Sequence, residues 1–367
     1  MSRVYVKEIH TDKAALSAQT QRFLEHLDLK AIFSGKERVL IKPNFSGEGG
    51  STDPRVVRGI MDALEPLGLD IVVGESTIIG HDTEAVFEKL HVRDIIDSEI
   101  IDFKKNPSRR VTIPGKAIEY AVVAESALQC DALISVAKCK TLNATTVSLC
   151  MKNLKGLLTD EEKLRFHHTG VSQAIVDLYT RFKPDLCVID AVEGYDMGKL
   201  VQVNRLIAGT DGVATDAVGT RMMGIDPLAI NKGYPSYSHI GKAVAQKLGD
   251  GTPEVVGDFC VVPFKGPPTS LEDISIPDAV EIMNGDPCSA CIGILNLALN
   301  RMQMPSEVTI CVGPRISHEV DGALYMGNCC SGFPGIHATG CPPNSRLDVM
   351  PALENIMEEK PCSHLKN

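Results

Sequence analysis

Positive charge is in short supply in this sequence. Lysine and arginine number 37 against 47 aspartates and glutamates, a net charge of −10, which argues against a nucleic-acid or anionic-membrane partner, since both require a basic surface. A local basic pocket is still compatible with that total. Long apolar runs are missing too: none approaches the ~18–20 residues that span a bilayer. The opening MSRVYVKEIHTDKAAL has no apolar core of a signal peptide. These absences predict a cytosolic chain with no membrane partner. Repeats and low-complexity tracts are absent, and 44% hydrophobic with 23% charged residues is a globular composition. Familiar nucleotide and hydrolase signatures are also missing. SGEGGSTDP is glycine-rich but fits neither the Walker A pattern nor G-x-G-x-x-G, and no G-x-S-x-G or H-E-x-x-H occurs.

Cysteine, by contrast, is plentiful, with 12 in 367 residues. The cytosol keeps thiols reduced, so clustered cysteines in such a chain read as metal ligands or catalytic thiols before they read as disulfides. The length suits two domains, or one large domain with an appendage.

The first two-thirds alternate short apolar runs with amphipathic helices. RVLIKPN, DIVVGES, CDALISVAKCK, DLCVIDAVEG and RLIAGTDG read as strands. DPRVVRGIMDALEPLG, TTVSLCMKNLKGLL, VSQAIVDLYTRF and VATDAVGTRMMG read as helices. The first helix carries an Asp cap and an early Pro, and the last is closed by Gly224. This alternation predicts an α/β fold, a mostly parallel sheet flanked by helices. The strands end in polar residues: Lys42 and Asn44, Glu75 and Ser76, Lys138 and Lys140, Asp190 and Glu193, Thr210 and Asp211. In an open α/β sheet, ligands bind outside the carboxyl ends of the strands, so these residues are expected to line one crevice. Exposed strand ends are also polar for no functional reason. Lys42, Lys138 and Lys140, with Lys152 and Lys155 on the next helix and His167 and His168 beyond it, suggest a carboxylate or phosphate ligand. Like-charge repulsion can also lower one lysine's pKa enough to make it a base. The plain alternative for Lys152 is a solvated helix face, and for the histidines a surface or capping role.

At VLIKPNF, VVGES, VAKCKTLNATTVSLCMKNLKGLL, FHHTGVSQAIVDLYTRFKPDLCVIDAVEG and AGTDGVATDAVGTRMMGIDP, from about residue 38 to 230, the chain resembles the domain of unknown function 362 family. The resemblance implies an iron–sulfur protein, since many members look like one and often carry a separate ferredoxin-type module. It implies no particular reaction. This sequence lacks the C-x2-C-x2-C-x3-C-P run of such a module, so its own C-terminal cysteines would have to replace it.

Those cysteines fall in PCSACIGILNLALNRM and GNCCSGFPGIHATGCPP. Cys288 and Cys291 stand at a helix start, Cys329 and Cys330 at the end of a strand, and Cys341 ahead of two prolines that suit a first helical turn. Helix N-termini stabilise thiolates. Cys288, Cys291, Cys341 and one of Cys329 or Cys330 supply four ligands, the number for a 4Fe–4S cluster, and GCPP resembles the cluster-ligand turn of the small subunits of respiratory complex I and related hydrogenases. Zinc is the alternative, although zinc ribbons usually show two C-x2-C knuckles and only one is present. A reactive thiol site at Cys329–Cys330, or plain burial as for Cys130, Cys187, Cys260 and Cys311, is the other.

The expected protein is an α/β domain over 1–265 and a cysteine-rich α/β part over 276–367, joined by the linker-like FKGPPTSLEDIS. Its expected function is that of an iron–sulfur oxidoreductase acting on an anionic small molecule, with a redox partner protein. Lys42, Asn44, Lys138, Lys140 and His167 are its candidate catalytic residues. A non-catalytic electron carrier or metallocentre-assembly protein, a Lewis-acid lyase or isomerase, and a metal-free carboxylate or carbohydrate binder are the alternatives. The Cys329–Cys341 loop is expected to pack over the carboxyl ends of the VLIKPN and ALISVAKCK strands.

Overall fold

The computed structural model describes residues 1–10, 12–47, 50–228 and 238–359. Its main body is a nine-stranded sheet built from β1 (Arg3–Glu8), β2 (Arg38–Pro43), β3 (Asp70–Glu75) and β4 (Glu99–Asp102), then β7 (Ala132–Leu142), β8 (Thr146–Ser148), β9 (Leu186–Asp196), β10 (Lys199–Gly209) and β11 (Glu254–Gly257). The order is β11-β1-β10-β9-β7-β2-β3-β4, with β8 paired on β7. A hairpin of β5 (Ser108–Thr112) and β6 (Tyr120–Ala124) stands apart from it. Neighbours from β9 through β7, β2 and β3 to β4 are all parallel. Their apolar runs are buried on both faces. On one face Leu154, Ile175 and Val218 pack against the sheet. On the other, Leu16, Ile60 and Phe87 do so. Helices on both faces are the arrangement that near-continuous apolar strands require.

The chain runs outward from β2 through β3 to β4, then returns to β7 on the opposite side of β2. That reversal is the switch point at which α/β sheets leave a crevice beyond their strand ends. The helix Pro54–Leu64 starts beside it. Asp53 caps the helix by accepting the Arg55 N–H, and Pro54 occupies the first turn.

Two local readings of the sequence are corrected. TTVSLCMKNLKGLL is not one helix: Thr146–Ser148 forms β8 antiparallel to β7, Cys150–Asn153 is a single helical turn, and Leu154–Leu157 is a 3-10 turn. Residues 143–145 make the turn of that hairpin, Thr146 enters β8 from it at φ +61°, and β-branched Thr and Val continue the strand. The second correction concerns β10, which pairs antiparallel with β9 through a tight turn. Lys199 faces Asp196, leaving Met197 and Gly198 between them at φ +46° and +95°. Both positive angles belong to the primed hairpin turn. Thr210 and Asp211 therefore stand at the opposite edge of the sheet from the other strand ends, where Asp211 caps the helix Gly212–Met222.

The C-terminal part builds a second sheet, β12 (Val280–Asn284), β13 (Val308–Val312), β14 (Leu324–Met326) and β15 (Ile336–Ala338), parallel throughout. The helices Ser289–Leu299 and Met350–Glu359 cover it, burying Leu295, Leu299, Leu353 and Ile356. The connecting stretch is pinned rather than slack. Phe264 is buried, and the Lys265 and Gly266 amides donate to the Asp196 carboxylate at 2.7 and 3.0 Å. Among the described residues no helix is long and apolar enough to cross a membrane.

Candidate functional site

Two cavities lie side by side where the two sheets meet. The first, about 380 Å³, sits at the switch point beyond β2, β3 and β7. Its floor is a buried polar chain. Lys42, wholly buried, donates to Glu75 at 2.8 Å and to Asn153 Oδ1 at 3.3 Å. Glu75 also accepts the Phe45 and Ser76 amides. Asn153 returns a bond to the Lys42 carbonyl at 2.8 Å and takes the Asn44 amide at 3.4 Å. Asn44 Oδ1 in turn accepts from Lys140 at 2.6 Å, and Lys140 reaches the Gly50 carbonyl at 3.0 Å. The backbone of Gly156 closes directly over this chain. A Cβ there would collide with Glu75 and with the Lys42 ammonium, so only glycine admits the ion pair.

Of the predicted crevice residues, Lys42, Asn44, Glu75, Ser76, Lys140 and His167 line this cavity. Lys138 does not. It is buried against Asp190 at 3.0 Å, and Asp190 also holds the Asp53 and Val192 amides. That pair anchors structure. Lys152 and Lys155, read from the sequence as part of the lysine cluster with a solvated face as the alternative for Lys152, stand in the cavity wall, and Lys163 joins them from the helix Asp160–Thr169. Burial pushes Lys155 down to about 7, aided by the charge of Lys163. Burial likewise pushes Lys140 and Lys163 down to about 8, and Lys152 well below the usual range, helped by Lys155 and Lys140. Asn153, Gly156 and Lys163 were not singled out from the sequence. The readable signal for Asn153 is a lone amide inside the apolar run CMKNLKGLL.

The second cavity, about 350 Å³, is lined by Cys288, Cys291, Cys329 and Cys341 together with Gly170, Gly313, Gly327 and Gly340. Cys288 stands at the N-cap of the helix Ser289–Leu299, and Cys291 lies in its first turn. The Cys291 thiol and the Ala290 and Cys291 amides bring Cys288 down to about 7, whereas its bond to Cys288, together with burial, pushes Cys291 up. Cys329 is lowered to about 7, chiefly by the neighbouring Cys330 thiol. Burial and the charges of Cys288 and Cys329 raise Cys341 to about 11. Cys330 turns the other way, is fully buried, and donates to the Gly313 carbonyl at 3.3 Å. Cys329, in the 3-10 turn Asn328–Cys330 that follows β14, is the member of the pair that faces the cavity. A Cβ on Gly327 would stand 3.5 Å from both the Cys291 and Cys329 sulfurs, so the glycine keeps the space between them open. Cys341 is not in a first helical turn. Asn344 caps the turn that begins at Ser345, and Pro342 and Pro343 belong to the approach.

A single layer of backbone separates the cavities. The Cys341 N–H donates to the His167 carbonyl at 2.7 Å, the Val171 N–H to the Cys341 carbonyl at 3.0 Å, and Asn328 Nδ2 to the His168 carbonyl at 2.7 Å. His167 Nδ1 lies 3.3 Å from the Pro342 carbonyl. The Cys329–Cys341 loop thus packs on the junction of the helices Asp160–Thr169 and Val171–Arg181. Residues just beyond it, Asn344 to Arg346, reach the lysine cavity. The helix Ser289–Leu299 touches both cavities, with Cys291 at one and Ile294 and Leu297 at the other.

Fold and site together define an α/β protein whose switch-point cavity is cationic and is roofed by a cysteine-bearing second sheet. The model of the family described as Domain of unknown function (DUF362) matches residues 39–221, and the chain belongs to that family. The thylakoid-associated protein sll1697 of Synechocystis sp. is 24% identical over 213 residues, covering 53% of this chain and 65% of that protein. The chain thus spans a little under two-thirds of that relative's length. Among solved structures, the lactate racemase apoprotein from Thermoanaerobacterium thermosaccharolyticum aligns at a TM-score of 0.42 and 11% identity, over 61% of this chain and 58% of that one. The family match contains Lys42, Asn44, Lys140, Lys152, Lys155, Lys163 and His167; Cys288, Cys291, Cys329 and Cys341 lie outside it.

Proposed function

We propose that this protein is an iron–sulfur oxidoreductase in which Cys288, Cys291, Cys329 and Cys341 hold a 4Fe–4S cluster and the adjoining lysine cavity holds an anionic small molecule. The observation that carries this reading is the convergence of four cysteines from three separate segments on one cavity, while Cys139, Cys150, Cys187, Cys311 and Cys330 are buried in the packing. When bound, such a cluster supplies one-electron chemistry. The chain's own contributions are specific. The amides that open the helix Ser289–Leu299 stabilise the Cys288 thiolate, and Gly327 leaves room between two of the sulfurs. The floor of Lys42, Glu75, Asn153 and Asn44 fixes the Lys140 ammonium at the anion's position.

Two observations favour this over its alternatives. Zinc ribbons usually supply two C-x2-C knuckles, whereas this chain has one, Cys288 and Cys291. Lewis-acid chemistry needs an iron without a cysteine ligand, whereas four thiols line the cavity. The closeness of the cationic cavity supports an enzyme over a carrier with no substrate.

The test is iron and sulfide analysis of anaerobically purified protein. About four of each per chain are expected. Cys291→Ser, Cys329→Ser and Cys341→Ser should each lose most of the iron, with Cys187→Ser and Cys330→Ser retaining it. Equal iron in all five variants, or none in the parent, would end the assignment.

A further inference from the structure

With its lysines protonated, the cavity carries more cation than one simple anion can compensate. Its lining includes Lys42, Lys140, Lys152, Lys155, Lys163, Arg301 and Arg346 against one carboxylate, Glu75. That carboxylate is already engaged by Lys42 and two backbone amides. Lys163 has Asp160 at 3.1 Å, but Asp160 also pairs with Lys104 at 2.8 Å. Lys140 is held by neutral oxygens alone. Lys152 and Lys155 have no ion-pair partner among the described residues; the Lys155 ammonium lies over the Phe166 ring, 5.8 Å from its centroid. The lysines form a repelling series, Lys140 feeling Lys42, Lys152 feeling both Lys155 and Lys140, and Lys155 feeling Lys163. Holding ammonium groups out of water beside one another is costly unless opposite charge joins them.

A monoanion would meet one of these groups and leave the others unmatched. The facing wall adds Arg301 and Arg346 from the C-terminal part, while Ile294 and Leu297 of the helix Ser289–Leu299 give it an apolar patch. Two further polar atoms of lining residues, Thr77 Oγ1 and Asn143 Oδ1, are buried with no hydrogen-bond partner, a state that a ligand or water polar group relieves.

We propose that this cavity takes a compact organic anion bearing at least two negative charges, a dicarboxylate or a phosphate ester, with its carbon body against Ile294 and Leu297. The proposal rests on reading the cavity as the ligand site and specifies the class of that ligand. One charged group is met by Lys140, Lys152 and Lys155, and the other by the arginines or Lys163.

Calorimetric titration of the full-length, anaerobically purified protein tests it. Succinate and glycerol 3-phosphate are compared with butyrate, which keeps the four-carbon length but carries one charge. At least one dianion should bind about tenfold or more tighter than butyrate. Succinate as the tighter of the two identifies a dicarboxylate, glycerol 3-phosphate a phosphate ester. Lys152→Gln and Lys155→Gln should each weaken that binding by about tenfold or more, with Lys30→Gln, on the exposed surface, unchanged. Because these substitutions remove half-buried lysines that repel one another and have no ion-pair partner among the described residues, melting temperatures should hold or rise, which separates lost binding from lost folding. Butyrate binding as tightly as both dianions, no dianion heat up to about 10 mM, or unaltered binding in both cavity variants would overturn the proposal. Iron content of the same samples reads the cluster independently: charge selectivity without iron removes the cluster alone, and iron without charge selectivity removes the dianion alone.

Discussion

At the residue scale, the most consequential pair is Lys42 and Glu75, buried together at 2.8 Å. Breaking a buried ion pair from one side leaves a charge with nothing opposite it, at a cost of about 3–5 kcal/mol. Lys42→Met should lose stability of that order in urea titrations, and Lys42→Met with Glu75→Leu should recover much of it. If the single substitution is neutral, the pair does not organise the floor. The lysines of the wall set a pH dependence with a definite sign. Burial lowers Lys155 to about 7 and Lys140 and Lys163 to about 8. Below about pH 7 these groups are cationic and attract an anion; above about pH 8 they are neutral and attraction fades. Anion affinity should therefore fall as pH rises through 7–8, with net proton uptake on binding near neutrality. Calorimetry in buffers of different ionisation enthalpy measures that uptake directly, and a flat profile would contradict the lowered values. Much of this was legible as residue type, since a lysine at the end of an apolar strand is visible in KPN and KCK. Which lysine lacks a carboxylate partner was not. Lys138 and Lys140 are two positions apart on one strand, and only the register of β9, which brings Asp190 opposite Lys138, separates the paired one from the available one.

At the element scale, the helix Ser289–Leu299 ties the two cavities together, and Gly293 lets it approach the turn that follows β7. A Cβ on Gly293 would lie 2.8 Å from Asn143 Oδ1 and 3.2 Å from the Asn143 Cα. Gly293→Ala should push the helix off that contact, costing about 1–3 kcal/mol as an overpacked site does. Iron retention and anion affinity should then decline together. Loss of one with the other intact would mean that the cavities are mechanically separate. The strands of the parallel sheet were legible because buried strands read as continuous apolar runs bounded by turn residues. The β9–β10 hairpin was not, because its turn is Met197–Gly198 rather than the Asn-Gly or Asp-Gly pair that advertises such a turn. The β8 strand was hidden for a related reason. Val147, Cys150, Leu154 and Leu157 recur at helical spacing, yet the chain reaches Val147 from a hairpin that pairs back on β7.

At the scale of the whole molecule, the chain is two sheets with separate apolar cores, joined by the pinned stretch at Phe264 and by the bonds around Cys341. Thermal unfolding should show two transitions. Cys291→Ser, which removes a proposed ligand of the second sheet's cavity, should lower the earlier one and leave the later one within a few degrees. Calorimetric scans of parent and variant would reveal it, and a single cooperative transition in both would contradict the two-core arrangement. Net charge said nothing of the cationic cavity. The −10 total is spread over an exterior that the folded chain turns outward, whereas the lysines that matter are gathered from five places along it.

The roof over those lysines comes from residues 294–301 and 344–346, and that has a consequence during synthesis. The ribosome delivers the large sheet first, at about 5–20 residues per second, so for several seconds the nascent chain carries its lysines in an open trough. Water can reach them there, their charges are screened, and any small anion they meet can leave as freely as it came. Retention begins only when residues 294–346 arrive and shut the trough. A tightly held ligand would therefore mark a chain whose second sheet has closed over the first, and a chain stopped after the large sheet has emerged but before its roof has would present a folded sheet that holds nothing.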